Sequence, residues 1–367
     1  MNVPSTTLSS QKIIVGMSGG VDSSVAAYLL DQQGWQVEGL FMKNWDEDDG
    51  TEYCTAIEDL EDAQRACDRL GIPLHTANFA AEYWDSVFED FLYEYQLGRT
   101  PNPDVLCNRE IKFKHFTDYA TRLGADAVAT GHYARWIAPG VLGKAADHNK
   151  DQTYFLQAVP LEALQQCVFP LGDLCKEEVR EVAKTAGLHN HARKDSTGIC
   201  FIGERRFADF IEQYVKGEPG PIVDTQGRQL GTHRGLQSYT VGQRQGLNLG
   251  GIAGRPEAPW YVAAKSTIDN HLIVTQDNSE LLSNWLRAGD ANWLTEVKLP
   301  LSCQAKIRYR QPDQRCIVSA AADGRLLVQF DTAQRAVACG QYIAFYADDR
   351  LLGGARIDFA QTNLDIA

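Results

Sequence analysis

The sequence predicts a doubly wound α/β sheet, then a small loop-rich unit, then a closing antiparallel β-barrel. Three observations predict it. The first third of the chain alternates β-branched apolar runs with amphipathic stretches, which implies a parallel, doubly wound sheet. After residue 203 glycine and proline punctuate the chain and helical stripes thin out. From residue 281 short alternating runs separated by turns take over. A chain of 367 residues is too long for one core. The expected boundaries are 1–205, 206–280 and 281–367.

Residues 12–17 are a short apolar run rich in β-branched side chains, followed by a Ser/Gly loop and a helical stretch over 21–33. A second strand is expected over 36–42, a helix over 60–70 ended by Gly71, and a third strand over 73–79. Helical spacing returns at 88–97 and 112–123, the latter ended by Gly124, before a strand at 126–130. Sheets of this kind bind ligands beyond the carboxyl ends of their strands. Gly217-Glu218-Pro219-Gly220-Pro221 opens the glycine-rich middle. The last unit shows strands at 304–310, 316–320, 325–330 and 341–346, with Asp323-Gly324 as a hairpin signal.

Composition excludes several classes. No apolar run approaches bilayer length, the first ten residues are polar, and the first arginine is Arg65, so neither a span nor a targeting segment is expected and the expected location is cytoplasmic. Nine cysteines contain no C-x-x-C and match no zinc pattern; no metal site is expected among them, and most should be reduced and buried. A net charge of −13 argues against a general nucleic-acid binder. The charge is uneven, however. Residues 42–62 hold nine acids and one base, whereas residues 301–320 hold four bases and one acid.

The sharpest motif is Ser18-Gly19-Gly20-Val21-Asp22-Ser23-Ser24, between a strand and a helix. Two glycines let backbone approach an anion, and the helix start presents free N–H groups. It lacks the lysine of a Walker A loop. Asp22 would repel a phosphate, so it makes sense mainly as a ligand for Mg²⁺. A tight turn with a serine cap is the plainer alternative. Cys107 follows Pro101 and Pro103 and precedes Lys112 and Lys114, just ahead of a helix expected near Ile111; Cys200 lies in a loop after Arg193 and Lys194. Each thiol is either inert and buried or activated by nearby cations. In the strand 304–310, Lys306, Arg308 and Arg310 share one face, which suits either a phosphate backbone or a solvated edge.

Gly16-Met17-Ser18-Gly19-Gly20-Val21-Asp22-Ser23 resembles the loop of the PP-loop ATP pyrophosphatases, whose fold is adenine nucleotide alpha hydrolase-like. Enzymes of that superfamily cleave ATP between its α and β phosphates and adenylate an oxygen of the substrate. Residues 102–112, Thr130-Gly131-His132-Tyr133, Asn149-Lys150-Asp151-Gln152, residues 194–204, Gly242-Gln243-Arg244 and residues 306–311 are together similar to the tRNA-specific 2-thiouridylase family. The likeness runs over residues 12–354; the stretch between Tyr133 and Asn149 is shorter than is usual there and reads as a surface connection.

The resemblance implies roles. ATP would be held by the loop from Gly16 to Ser23 with Met42 and Gly131, and Mg²⁺ would accompany it. Asn102, Pro103 and Asp104 would contact a flipped-out uridine, the wobble base of a tRNA. Cys200 would carry a persulfide delivered by a sulfur donor or sulfur-carrier protein, and Cys107 would be the second thiol. His132, Lys150, Asp151, Gln152, Arg308, Tyr309 and Gln341 would touch the tRNA. The implied reaction is 2-thiolation with release of AMP and pyrophosphate. Two alternatives keep the same loop: a small-molecule ligase that adenylates a carboxylate or amide, and a sulfur-relay or RNA-binding module that binds nucleotide without turnover. The acidic run from Asp46 to Glu52, the aromatic stretch around Tyr83 and Phe88, and His189 and His191 read as solvated loop, core and helix-end surface.

Overall fold

In the computed structural model, which describes residues 11–46, 56–194, 207–250 and 256–360, strand β1 (Lys12–Met17) lies in the middle of a five-stranded sheet. Helix α1 (Val21–Gln32), β2 (Gln36–Lys43), α2 (Ala56–Leu70) and β3 (Leu74–Asn78) follow. Two helical runs, α3 over residues 80–96 and α4 over residues 103–122, lead to β4 (Ala127–Ala129). The hairpin β5 (Ala134–Ala138) and β6 (Val141–Lys144) leaves the sheet, and β7 (Cys167–Val168) returns to its edge before α5 (Lys176–Thr185). The order is β3-β2-β1-β4-β7, every pairing parallel. Side-chain alternation divides the sheet between two cores. Ile14, Leu40 and Val128 pack on α3 and α4, while Ile13, Val15 and Phe41 pack with buried residues of α1, α2 and α5. Both faces are therefore apolar, as a parallel sheet between helix layers requires.

The two long runs begin earlier than the periodicity predicts. Run α4 starts at Pro103, with Asn102 extended at φ −124° as its N-cap. Proline suits the first helical position, where its missing N–H costs nothing, so the residue that read as a stiff approach is the helix start. Cys107 therefore sits inside the helix and not in a loop before it. The run widens to π geometry over Cys107–His115, with Phe113 at φ −106°, ψ 15°. Helix α6 (Phe207–Tyr214) places Phe210 and Ile211 in the first core, so that core extends past residue 205.

The middle is more regular than expected. It holds β8 (Gly220–Asp224), β9 (Gln229–His233), β10 (Tyr261–Ser266) and β11 (His271–Thr275) in the order β10-β11-β8-β9, around Ile222, Val262, Leu272 and Val274. Gly220 read as a breaker, yet a Cβ there would stand 2.3 Å from the Asn270 carbonyl oxygen, a close approach that glycine serves.

The last six strands are β12 (Leu282–Trp293), β13 (Leu301–Lys306), β14 (Gln314–Ala320), β15 (Leu326–Arg335), β16 (Tyr342–Ala347) and β17 (Arg350–Ala360). They run β12-β15-β14-β13-β16-β17, and β17 pairs back with β12 to close an antiparallel barrel. Gly324, at φ +81°, turns β14 into β15 at the predicted Asp323-Gly324 hairpin. Strand β6 pairs with the outer side of β17, Gly143 opposite Arg350. The stretch that read as a surface connection is thus a dock between the first domain and the barrel. No described helix is long and apolar enough to cross a membrane.

Candidate nucleotide and RNA site

Strand order reverses between β1 and β4, and the serine–glycine loop and Gly131 leave the carboxyl ends of those two strands. That is the crevice where doubly wound sheets take ligands. Gly19 adopts φ +76°, and a Cβ on it would meet the Asp59 carbonyl oxygen at 2.5 Å. A Cβ on Gly131 would stand 2.8 Å from the Ser23 nitrogen and 2.9 Å from the Asp22 carbonyl carbon, so the two glycine-bearing turns touch backbone to backbone. Gly20 is the N-cap of α1, extended at ψ 162°. Ser23 Oγ donates to the Gly20 carbonyl at 3.1 Å and accepts from the Ser18 N–H at 3.2 Å, and Ser24 Oγ donates to Gly20 at 3.0 Å. Met17, Val21 and Ser23 are buried, and Gly16 lies over the Phe116 ring of α4. Met42 is partly buried at the end of β2.

Asp22 departs from its expected role. Lys176, buried at the start of α5, places Nζ 2.7 and 2.9 Å from the two carboxylate oxygens, and Tyr133 donates to Oδ1 at 2.8 Å. The chain supplies its own cation, and the oxygens that would ligate Mg²⁺ are already engaged. As placed, these residues do not fit a metal ligated by Asp22. Among the described residues no cluster of three metal-binding side chains occurs.

Sequence reasoning missed Lys176, Tyr133, Asn190 and Arg193. Asn190 donates to the Gly19 carbonyl at 2.9 Å and to Ser24 Oγ at 3.0 Å. Arg193 donates to the same carbonyl at 3.1 Å while pairing Asp62 at 2.6 Å and Asp59 at 2.5 Å. All four lie far from the loop in sequence; Asn190 and Arg193 flank histidines that read as surface, and Tyr133 stood in a motif read for other roles.

From Gly131 the site continues to helix α4. His132 holds Thr130 Oγ1 at 2.8 Å and tilts against Phe113 at 5.8 Å between ring centroids. Burial, with Lys112 nearby, holds His132 well below the usual histidine range, so the ring is neutral. Burial raises Asp104, against the pull of Lys112. Cys107 is 2% exposed, one turn inside α4. Its neighbour Asn108 donates to the Phe155 carbonyl at 3.3 Å. Burial pushes the Cys67 and Cys167 thiols up to about 12 each. Cys200 lies outside the described residues, as do 47–52 of the acidic run and Cys54.

The barrel completes the site. Gln341 donates to the carbonyls of Thr100 and Pro101 at 2.8 and 3.1 Å and accepts from Asn102 at 3.5 Å, which ties the barrel to the start of α4. Tyr309 packs on Phe155 at 4.7 Å and donates to the Lys150 carbonyl at 3.4 Å. Gln152 accepts from the Tyr133 N–H at 3.0 Å. Asn102 thus meets Gln341, and Lys150 meets Tyr309, each across the join between the first domain and the barrel.

The row of three cations does not exist. Strand β13 ends at Lys306, which is 9% exposed and points inward toward Asp151 and Asp313, each at 3.7 Å. Lys144, also buried, pairs with Asp313 from the docking hairpin. Asp151 is buried too, accepts from Thr153 Oγ1 at 2.8 Å, and is raised by that burial. The strand pattern failed because Asp151, buried in the first domain, and Asp313, from the barrel's own connection between β13 and β14, turn Lys306 into the interior. Arg308 and Arg310 stay exposed beyond the strand, with Arg308 donating to the Ala336 carbonyl.

Comparison with known proteins agrees with this architecture. Residues 11–204 match the family described as tRNA methyl transferase HUP domain, 208–276 its PRC-barrel domain, and 283–357 an aminomethyltransferase beta-barrel domain. A protein of Hahella chejuensis named tRNA-specific 2-thiouridylase MnmA is 57% identical over 360 residues, 96% of this chain and 99% of that one. A Legionella pneumophila (strain Lens) protein of the same name is 55% identical over 95% of this chain and 98% of its own. Likeness to solved structures is slight: a 4-thiouridine synthetase–RNA complex with bound ATP gives a TM-score of 0.34 at 16% identity, over 55% of this chain and 50% of that one.

Proposed function

The chain belongs to the tRNA-specific 2-thiouridylase family, and from that premise we propose that it uses ATP to replace an oxygen of a tRNA uridine with sulfur. In the finer reading, the wobble uridine's 2-oxygen attacks the α-phosphate of ATP, and pyrophosphate leaves. Adenylation turns a poor leaving group into one that departs as AMP. A persulfide on Cys200 supplies the sulfur: its terminal atom bonds to C2, and Cys107 attacks the Cys200 sulfur, breaking the persulfide bond. The two cysteines are left as a disulfide that an external dithiol must reduce before the next turnover. The sulfur enters from a persulfide donor or sulfur-carrier protein.

One observation carries this reading: the unbroken line of contacts from the serine–glycine loop through Gly131, His132 and Phe113 to the helix that bears Cys107. A base drawn out of its stack and held there would lie between phosphate loop and thiol. The Asn102–Gln341 and Lys150–Tyr309 contacts, each between the first domain and the barrel, support a tRNA path along that join. Asp151 supports this reading as a positioning group that orders the turn bearing Lys150 and Gln152. Lys176 supplies positive charge beside the loop where the sequence suggested Mg²⁺, so no step is routed through a metal.

Cys107→Ser and Cys200→Ser should each abolish thiolation in a gel that retards sulfur-containing RNA, while tRNA-dependent adenylation survives. Normal thiolation by either variant ends the proposal. ATP–pyrophosphate exchange without RNA would point instead to a small-molecule ligase. The matched family descriptions speak of methyl transfer, so nucleoside digests should be read for thiolated against methylated uridine.

A further inference from the structure

We propose that Cys303 and Cys316 form a second thiol pair, separate from the sulfur-transfer cysteines, that low-molecular-weight disulfides oxidise to a cross-strand disulfide. The two residues lie directly opposite each other in the antiparallel β13–β14 ladder. Their sulfurs stand 3.7 Å apart. Opposed residues in such a ladder have Cα atoms roughly 4.5–5.5 Å apart, within the span a disulfide bridges. A bond therefore needs a small rotation of two side chains and no movement of the sheet. Neither cysteine is disulfide-bonded in the structure.

The pair is also asymmetric in the way thiol–disulfide exchange uses. Cys316 is 3% exposed in the barrel interior, whereas Cys303 is half-buried and open to small molecules. The hydrogen bond between them lowers Cys303 below the usual thiol range, and that bond together with burial raises Cys316. Cys303, the more accessible of the two, is the thiol that attacks and Cys316 the one that resolves. Cys67 and Cys167, buried and pushed up to about 12, have neither access nor ionisation.

The chemistry closes with a disulfide such as oxidised glutathione as co-reactant. The Cys303 thiolate attacks one glutathione sulfur, forms a mixed disulfide and expels one glutathione thiolate. Cys316 gives its proton to solvent and attacks the Cys303 sulfur, expelling the second. Two protein thiols become one disulfide while glutathione disulfide becomes two thiols. The bond ties β13 to β14 just ahead of Lys306, Arg308 and Tyr309.

The test uses the intact chain. It is incubated with oxidised glutathione, quenched with N-ethylmaleimide, cleaved with trypsin and read by mass spectrometry. Tryptic cleavage separates residues 299–306, which carry Cys303, from 316–325, which carry Cys316. A joined 299–306/316–325 peptide that disappears with dithiothreitol is the expected result. Cys316→Ala should leave a stable glutathione adduct on Cys303, and Cys303→Ala should leave Cys316 unmodified. Recovery of both cysteines fully alkylated, or of Cys316→Ala without an adduct, overturns the proposal.

Discussion

Two regions of this chain carry the marks of an anion site, the serine–glycine loop after β1 and the basic segment at the end of β13, and only the first is built as one. The loop depends on backbone: Gly19 at φ +76°, Gly131 pressed against Asp22 and Ser23, and serine hydroxyls folded onto the Gly20 carbonyl. The basic segment depends on side chains, and its leading cation is drawn inward by Asp151 and Asp313. A backbone motif is legible because the residues that form it are neighbours in sequence. A charge pattern is not, because the buried counter-charge Asp151 reaches Lys306 from another domain.

The largest expected effect lies on the loop. Gly131→Ala inserts a methyl group 2.8 Å from the Ser23 nitrogen and must push two turns apart. It should lower kcat/KM for ATP on the order of 100-fold, as misplacement by about an ångström does, and the displaced backbone should cost about 1–3 kcal/mol of stability. Activity within threefold of the parent would break the claim that backbone contact shapes this site.

Next comes the interior network. If Lys306 faced phosphate, Lys306→Met would flatten the salt dependence of tRNA binding and leave folding untouched. Buried between Asp151 and Asp313, it should instead destabilise the fold by about 3–5 kcal/mol, the usual consequence of stripping one partner from a buried pair. A denaturant midpoint equal to the parent's would restore the exposed row of cations. Arg308 supplies the converse, and a smaller effect. It is exposed beyond the strand, so Arg308→Ala should reduce the slope of log binding constant against log salt by about 1. The parent slope in that variant would remove Arg308 from the RNA surface.

Much of the fold could be read from sequence where one element stood for itself. Periodicity marks β1, α1, β2 and β3, and a glycine after α2 marks its end. The misses share a cause. Pro103 began a helix, Gly220 allowed a strand crossing, and the glycine pair Gly353–Gly354 lies inside β17, where a Cβ on Gly353 would stand 2.1 Å from the Asn292 carbonyl oxygen. Gly220 and Gly353 are each excused by a partner distant in sequence, and Pro103 by its place at the helix start. The site divides the same way. The loop, Cys107 and the turn at Lys150 were visible as local strings, whereas Lys176, Asn190 and Arg193 reach the loop from α5 and the turn beyond it. Asp151 was visible too, but as a surface contact and not as the buried group that orders its turn.

The smallest effect separates the two regions by the charge each tolerates. Lys306 lies among carboxylates, whereas His132, between Gly131 and α4, is kept neutral by burial with Lys112 near it. Burial holds His132 in the folded chain well below the ordinary histidine value of about 6.5, so between those values the unfolded chain binds a proton that the folded chain refuses. Stability from this group is full above 6.5 and falls as the pH drops toward the folded value, by at most about 1.4 kcal/mol per pH unit. His132→Asn should therefore lose part of the parent's decline in stability between about pH 6.5 and 5. Imidazole resonances of the parent should show one histidine that stays neutral through that window. A His132 signal titrating near the ordinary histidine value would place the ring in solvent and cut the line of contacts from the loop to α4.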